Sequence, residues 1–211
     1  ALRTYLVRES DGRVWLNFAS SKARVASGHT FTLRVVSNQN VATFIKELVL
    51  APVTDSTWPA FRPGQYLQLQ IPAYGNISFR DFDVCQPYAS VWQANHLYDL
   101  AASNALVLRR NYSLATNPAS SARELRFNVR IATPPHGQDC GAGAGSSYVY
   151  RLKPGDLVTA IGPFGDFLIH DGEREMVYVG GGAGMAPLRS HLLYLFETAR
   201  TTRKLPYCHG P

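Results

Sequence analysis

Cysteine is scarce: three residues in 211, at Cys85, Cys140 and Cys208. An odd number at wide spacing argues against a disulfide framework and fits a reducing compartment. No Cys-x-x-Cys pair occurs, which argues against a zinc or iron–sulfur site made by this chain. Also missing is an apolar run of the roughly 20 residues that a membrane-crossing helix needs. The opening residues ALRTYLVRES hold no apolar core of the kind found in a secretory leader; the expectation is a soluble, cytoplasm-facing chain. Charge is sparse, 17% of residues, and unbalanced, with 21 Lys+Arg against 15 Asp+Glu for a net +6. The basic residues are scattered and form no long run, so nucleic-acid binding is set aside. A solvated basic surface is the plain reading; attraction of anionic dinucleotides or of an anionic membrane face is the other. The six histidines (29, 96, 136, 170, 191, 209) show no metal-ligand spacing and read as surface residues, with no metal expected.

What is present points to a globular, β-rich protein: 45% hydrophobic residues, 11 Tyr and 10 Phe. Residues 1–28 read equally as strand or as a poorly ordered tail. From His29 the chain alternates: HTFTLRVVS with Phe31, Leu33 and Val35 on one side, then TFIKELVL over 43–50 ending before Pro52. YLQLQI follows the Pro63-Gly64 turn, with Leu67, Leu69 and Ile71 inward and Gln68 and Gln70 outward. Residues 73–105 lose the period and read as an insertion with a short helix over 88–95. A loop of that length is functional or mobile. Strands return at 106–115 and at 125–133, the latter with Leu125, Phe127, Val129 and Ile131 on one face. A short serine-capped helix is expected over 146–152, then a strand over 156–162, with GPFG at 162–165 as a turn. This spacing predicts a six-stranded antiparallel Greek-key barrel over 29–172.

After residue 172 the grammar changes. A strand (176–179), a glycine turn, a helix (186–200) and a strand (204–208) form the opening of a parallel α/β sheet. YVGGGAGMAPLRSH at 178–191 is the most specific stretch. Glycines let the backbone approach a pyrophosphate, and the first amides of the next helix face its charge. A strand-to-helix turn without a ligand is the bland alternative. Upstream, Arg110 to Ser113 reads RNYS, which places Arg110 and Tyr112 on one face of an alternating strand and Ser113 on the other. Domain boundaries are expected near 28 and 172, the last part (173–211) being the start of a nicotinamide domain that the chain does not complete.

Arg-x-Tyr-Ser at 110–113, Gly-x-x-Ser at 143–146 and Gly-x-Gly-x-x-Pro at 182–187 together resemble the ferredoxin–NADP reductase superfamily. NVATFIKEL (40–48), DFDV (81–84), NVRIATPP (128–135), SSYVYRLKPGD (146–156), GPFGDF (162–167) and GGGAGMAPLRSHL (180–192) are closer still. They are similar to the F subunits of sodium-translocating NADH:quinone oxidoreductases, in order, over about residues 30–207. The resemblance implies FAD held noncovalently on the barrel. Tyr112 would pack on the isoalloxazine, and Arg110 would pair with the pyrophosphate through parallel donors. Ser113 would lie near flavin N5 as a polariser, the one catalytic candidate. It also places Val129, Arg130, Ile131 and Ala132 beside the FAD pyrophosphate and ribose. Gly143, Ser146 and Ser147 would form a helix-start anion site, and Phe164 would stand at the flavin edge. For Arg130 an ordinary exposed arginine is an equal reading, and for Phe164 a structural turn. Gly180, Gly181, Gly182, Ala183, Gly184, Met185 and Pro187 would cradle NADH. The choice of NADH over NADPH comes from the family, since His209-Gly210-Pro211 shows no acidic residue after the second strand.

By the same resemblance the function is electron input. NADH would deliver hydride to FAD, and single electrons would pass to a [2Fe–2S] centre in an N-terminal domain that this chain lacks, as it lacks the family's membrane helix. The partners implied are NADH and the other subunits of a respiratory complex at the cytoplasmic face of a bacterial inner membrane. Two alternatives stand beside it: the reductase component of an oxygenase, and a non-catalytic FAD-binding or assembly fragment.

Overall fold

The computed structural model describes residues 6–10, 13–17, 28–54, 59–120, 122–135, 137 and 140–210. Ahead of the main sheet, β1 (Leu6–Ser10) and β2 (Arg13–Asn17) form an antiparallel hairpin. Six strands make the main body: β3 (His29–Ala42), β4 (Ile45–Pro52), β5 (Tyr66–Ile71), β8 (Leu108–Ser113), β9 (Leu125–Arg130) and β10 (Leu157–Phe164). They lie in the order β8-β5-β10-β3-β4-β9, and every pairing is antiparallel. The two outer strands are tied beyond their ends. Ala115 N–H donates to Arg126 O at 2.8 Å, and Arg126 N–H donates to Thr116 Oγ1 at 2.7 Å. These bonds close the sheet on itself and satisfy part of its open edges.

Period-2 patterning explains the barrel core. Leu33, Leu48, Leu50, Leu67, Leu69, Ile71, Leu125 and Phe127 are each 0% exposed and pack in one cluster. The expected barrel is therefore present, with several boundaries moved. β3 continues past 37 to Ala42, and β4 starts at Ile45 because Thr43 and Phe44 make the turn. β8 is shorter than 106–115, and Leu106 and Val107 stand exposed ahead of it. GPFG is not a free-standing turn. Gly162 to Phe164 belong to β10, where the register against β5 shifts between Ile161 and Phe164, a bulge that absorbs the Gly-Pro pair.

The insertion is built as a small unit of its own. β6 (Tyr74–Ser78) and β7 (Ala101–Asn104) pair antiparallel, and α1 (Tyr88–Ala94) lies between them in sequence, close to the expected 88–95. Phe79, Phe82 and Trp92 form its aromatic core, together with Ile131 and Tyr150 from the barrel side. Those two belong to the segment after β9 and to α2 (Ala144–Arg151). The expected serine cap of α2 is not what starts it. Gly143 occupies the cap with no side-chain bond, and Ser146 and Ser147 lie inside the helix.

The last part contains β11 (Tyr178–Gly180) and β12 (Tyr207–His209), paired in parallel. Between them α3 (Met185–Leu193) continues into a π turn over Tyr194–Thr198, so the helix ends sooner than residue 200. Among the described residues no helix is long and apolar enough to cross a membrane. All three cysteines are free and exposed.

Candidate cofactor and nucleotide site

Pairing with β5 fixes where the RNYS side chains point. Arg110 sits opposite Leu69, Tyr112 opposite Leu67, and Ser113 opposite Tyr66. Arg110 is exposed, whereas Tyr112 is half-buried against the barrel core. Burial pushes the Tyr112 phenol up to about 12, against the opposing pull of Arg110. The first turn of α2 lies directly over this pair. A methyl built on Gly145 would come within 2.8 Å of Arg110 Cγ and 3.4 Å of the Tyr112 hydroxyl. Only a residue without a side chain lets the helix start approach so closely. Gly145 was not among the expected site residues, because the helix was expected to begin at Ser146 and Gly145 read as the end of the loop before it.

A second set of bonds holds that helix start to the end of β9. The Ser146 hydroxyl accepts from Ala132 N–H at 3.0 Å and donates to Gly143 O at 3.1 Å, and Gly143 N–H donates to Ala132 O at 2.8 Å. Ser147 is fully buried, and its Oγ has no hydrogen-bond partner among the described residues. The first intrahelical donor is Ser147 N–H, to Gly143 O at 3.0 Å. The amides of Ala144, Gly145 and Ser146 are thus the orphan donors of a helix start. Of the β9 candidates, Val129 and Ile131 point into the two cores at 1% and 2% exposure. The Ile131 amide is committed to Phe44 O, as the Ala132 amide is to Ser146. Arg130 and Ala132 alternate with them and are exposed. Phe164 packs its ring against Tyr66, centroids 5.8 Å apart, and Tyr66 is the residue opposite Ser113.

The glycine turn faces the barrel. Gly181, Gly182, Ala183 and Gly184 line a groove of about 630 Å³ with Arg130 and the β3–β4 turn at Ala42–Ile45. Gly182 has φ +54, and a methyl built there would meet no atom within 4 Å, so the turn is both left-handed and open on its outer side. Gly180 lies in β11, behind the turn. Met185 and Pro187 belong to the first turn of α3, where the Met185 sulfur accepts from the Tyr207 hydroxyl at 2.9 Å.

Helix α3 also docks on the segment after Ser113. Arg189 Nη1 donates to Ala115 O and the Ser190 hydroxyl donates to Thr116 O, both at 2.6 Å. Asn117 Nδ2 donates to Glu197 Oε2 at 2.9 Å. His191 corrects the expectation of a surface residue: it is 2% exposed. Its Nε2 lies 3.0 Å from Phe167 O, and its ring stacks on Phe167 with centroids 5.0 Å apart. Burial holds its pKa below the ordinary 6.5, opposed by hydrogen bonds with the backbone at Phe167 and Pro63. His29, His96, His170 and His209 are exposed as expected, and His136 lies outside the described residues. No cluster of metal-ligating side chains occurs among the described residues.

No family model matches the chain. It is 44% identical over 176 residues to the F subunit of the Na(+)-translocating NADH-quinone reductase of Pseudomonas paraeruginosa, an alignment covering 83% of this chain and 42% of that one. To the F subunit of the same reductase in Shewanella putrefaciens it is 42% identical over 176 residues, covering 83% of this chain and 57% of that one. The chain thus spans about half the length of these curated relatives. Among solved structures it is similar to the flavohem-like FAD/NAD-binding domain of nitric oxide dioxygenase from Vibrio cholerae O1 biovar El Tor. The TM-score is 0.62 at 24% identity, covering 86% of this chain and 63% of that one, a likeness of fold.

Proposed function

We propose, for a chain that belongs by its sequence to the family of Na(+)-translocating NADH-quinone reductase F subunits, that residues 29–172 hold FAD and residues 173–211 begin the site for NADH. The observation that carries this reading is Gly145: it brings the orphan amides of a helix start onto the same few ångströms as Arg110 and Tyr112. A diphosphate matches that donor set, since guanidinium and helix-start amides both favour its charge.

FAD when bound supplies a ring that takes two electrons from NADH and releases them one at a time. This chain's own residues bind, orient and shield. Arg110 and the amides of Ala144 to Ser146 neutralise phosphate charge. Tyr112, protonated at all ordinary pH values because burial raises its phenol, offers an uncharged aromatic face. Ser113, opposite Tyr66, whose ring packs on Phe164, would polarise the reacting edge of the ring through its hydroxyl or amide. Arg130, expected beside the FAD pyrophosphate, shares a groove with the Gly181–Gly184 turn, and there the two would take the diphosphate of NADH. No side-chain acid or base is required, because what moves from NADH is hydride. In the complete protein the acceptor is a one-electron centre outside this chain. The setting is a membrane complex whose other subunits are partners, at the cytoplasmic face of a bacterial inner membrane.

Titration of the purified chain with FAD, followed by flavin fluorescence quenching, tests the reading. One equivalent of FAD is expected to bind, and Arg110→Ala is expected to weaken it roughly tenfold or more, a loss of about 1.4 kcal/mol or more. Reduction of ferricyanide on adding NADH then separates a reductase from a flavin-holding fragment. A chain that takes up no FAD would overturn the proposal.

A further inference from the structure

Helix α2 has two turns and no side-chain cap, so its own propensity fixes neither its existence nor its direction. It is held from outside at both ends. At its C-terminus, Asn38 Nδ2 donates to Val149 O at 2.7 Å and Leu152 O at 3.0 Å, and Lys46 Nζ donates to Tyr150 O at 3.3 Å. Trp92 of the insertion stacks on Tyr150 with centroids 5.9 Å apart and interplanar angle 20°, while its Nε1 donates to Thr43 O at 2.6 Å. At the N-terminus the contact comes from Tyr74 of the insertion. The Tyr74 hydroxyl donates to Ala144 O at 2.6 Å, and the Tyr74 ring stacks on Tyr148 with centroids 6.4 Å apart.

The bond to Ala144 O has a specific consequence. That carbonyl belongs to the same planar peptide unit as the Gly145 N–H, so fixing the oxygen fixes the direction of the amide. A donor on the oxygen also polarises the unit and strengthens the N–H as a donor. Gly145 N–H is one of the orphan donors at the helix start, directly over Arg110 and Tyr112. The insertion therefore reaches the candidate phosphate site through the Tyr74 hydroxyl.

We propose that the 73–105 insertion is a clamp on α2 and that Tyr74 is a positioning residue for the pyrophosphate of FAD, aiming and polarising the Gly145 amide. This rests on the FAD reading above and gives the insertion a role in it. Tyr74 touches no reacting atom; it acts through the peptide it holds.

The test compares the full chain with Tyr74→Phe, which keeps the ring on Tyr148 and removes only the hydroxyl. Dissociation constants are measured for FAD, for ADP as a carrier of the pyrophosphate without the ring, and for riboflavin as the ring without phosphate. FAD and ADP are expected to weaken by the same factor, roughly 3- to 10-fold, the worth of one hydrogen bond, and riboflavin to stay unchanged. An unchanged FAD constant overturns the inference, as does an equal loss for FAD and riboflavin, which marks general loosening of the barrel. Should the unsubstituted chain bind neither FAD nor ADP, the FAD reading fails and the inference with it; binding by the unsubstituted chain with no change in Tyr74→Phe fails the inference alone.

Discussion

Arg189 donates to the carbonyl of Ala115 at 2.6 Å, joining the helix that follows the glycine turn to the backbone just past Ser113. Ser190 repeats the contact one residue along, on Thr116 O, and Thr116 Oγ1 in turn receives Arg126 N–H from β9. The two halves of the proposed site are thus registered through backbone carbonyls and not through side-chain packing alone. Arg189→Ala removes a charge-assisted bond worth about 1.5–3 kcal/mol. The expected outcome is a loss of that size in urea unfolding, together with faster hydrogen exchange in residues 113–117 than in β5. Uniform acceleration over the whole barrel would show that the contact does not act locally.

His191 makes stability depend on pH below neutrality. Burial depresses its pKa below 6.5, so in the folded protein it stays neutral where the unfolded chain already takes up a proton. The unfolded state binds more protons in that window, and linkage makes stability fall as pH drops below 6.5 toward the folded pKa. One proton gives at most about 1.4 kcal/mol per pH unit. His191→Phe, which can still stack on Phe167, is expected to lose this component of the slope. Parallel stability curves for the two proteins between neutral and mildly acidic pH would contradict the assignment.

The strands were legible where one face is buried and alternation is strict. Leu67, Leu69 and Ile71 in β5 and Leu125, Phe127 and Val129 in β9 fall on the core as their spacing requires. The strand that carries RNYS and the glycine turn between β11 and α3 were legible from alternation and glycine content. Three kinds of feature were not. Gly162-Pro163 reads as a turn by composition, yet a bulge lets β10 carry it. Lys46 alternates with Leu48 and Leu50 and so points inward, although a lysine is almost never fully buried. The contacts that hold the two ends of α2 are far apart in sequence: Tyr74 to Ala144, Lys46 to Tyr150 and Asn38 to Val149 leave no periodic trace. Aromatic packing within the insertion is likewise aperiodic, which is why residues 73–105 read as an insertion with one short helix and without the β6–β7 pair.

Gly182 offers a way to separate the two proposed nucleotide sites by experiment. Its φ of +54 costs an L-residue about 1–2 kcal/mol locally. A methyl there meets no protein atom within 4 Å, and the turn itself lines a groove with Arg130. Gly182→Ala is therefore expected to leave FAD binding intact and to weaken NADH binding roughly tenfold, measured by calorimetry with each nucleotide. Equal losses for FAD and NADH would mean that the turn supports the barrel instead of a separate nucleotide.

Lys46 separates the role of a buried charge from that of a buried stem. It is 1% exposed, with Nζ 3.3 Å from Tyr150 O and 5.3 Å from the centre of the Tyr150 ring. Burial lowers its pKa, opposed by the nearby Asp83 and Cys85. A cation at a helix C-terminus is favourable, but removing it from water offsets much of that gain. Lys46→Met keeps the length of the stem and removes both terms, so its unfolding free energy is expected to lie within about 1 kcal/mol of the original. Lys46→Ala also empties the space beneath Trp92 and Tyr150 and is expected to cost about 2–5 kcal/mol. Urea unfolding of both variants decides between the two contributions. Equal destabilisation in the two would assign the stability to the ammonium group and its bond to the end of α2, while the expected split assigns it to packing under the insertion.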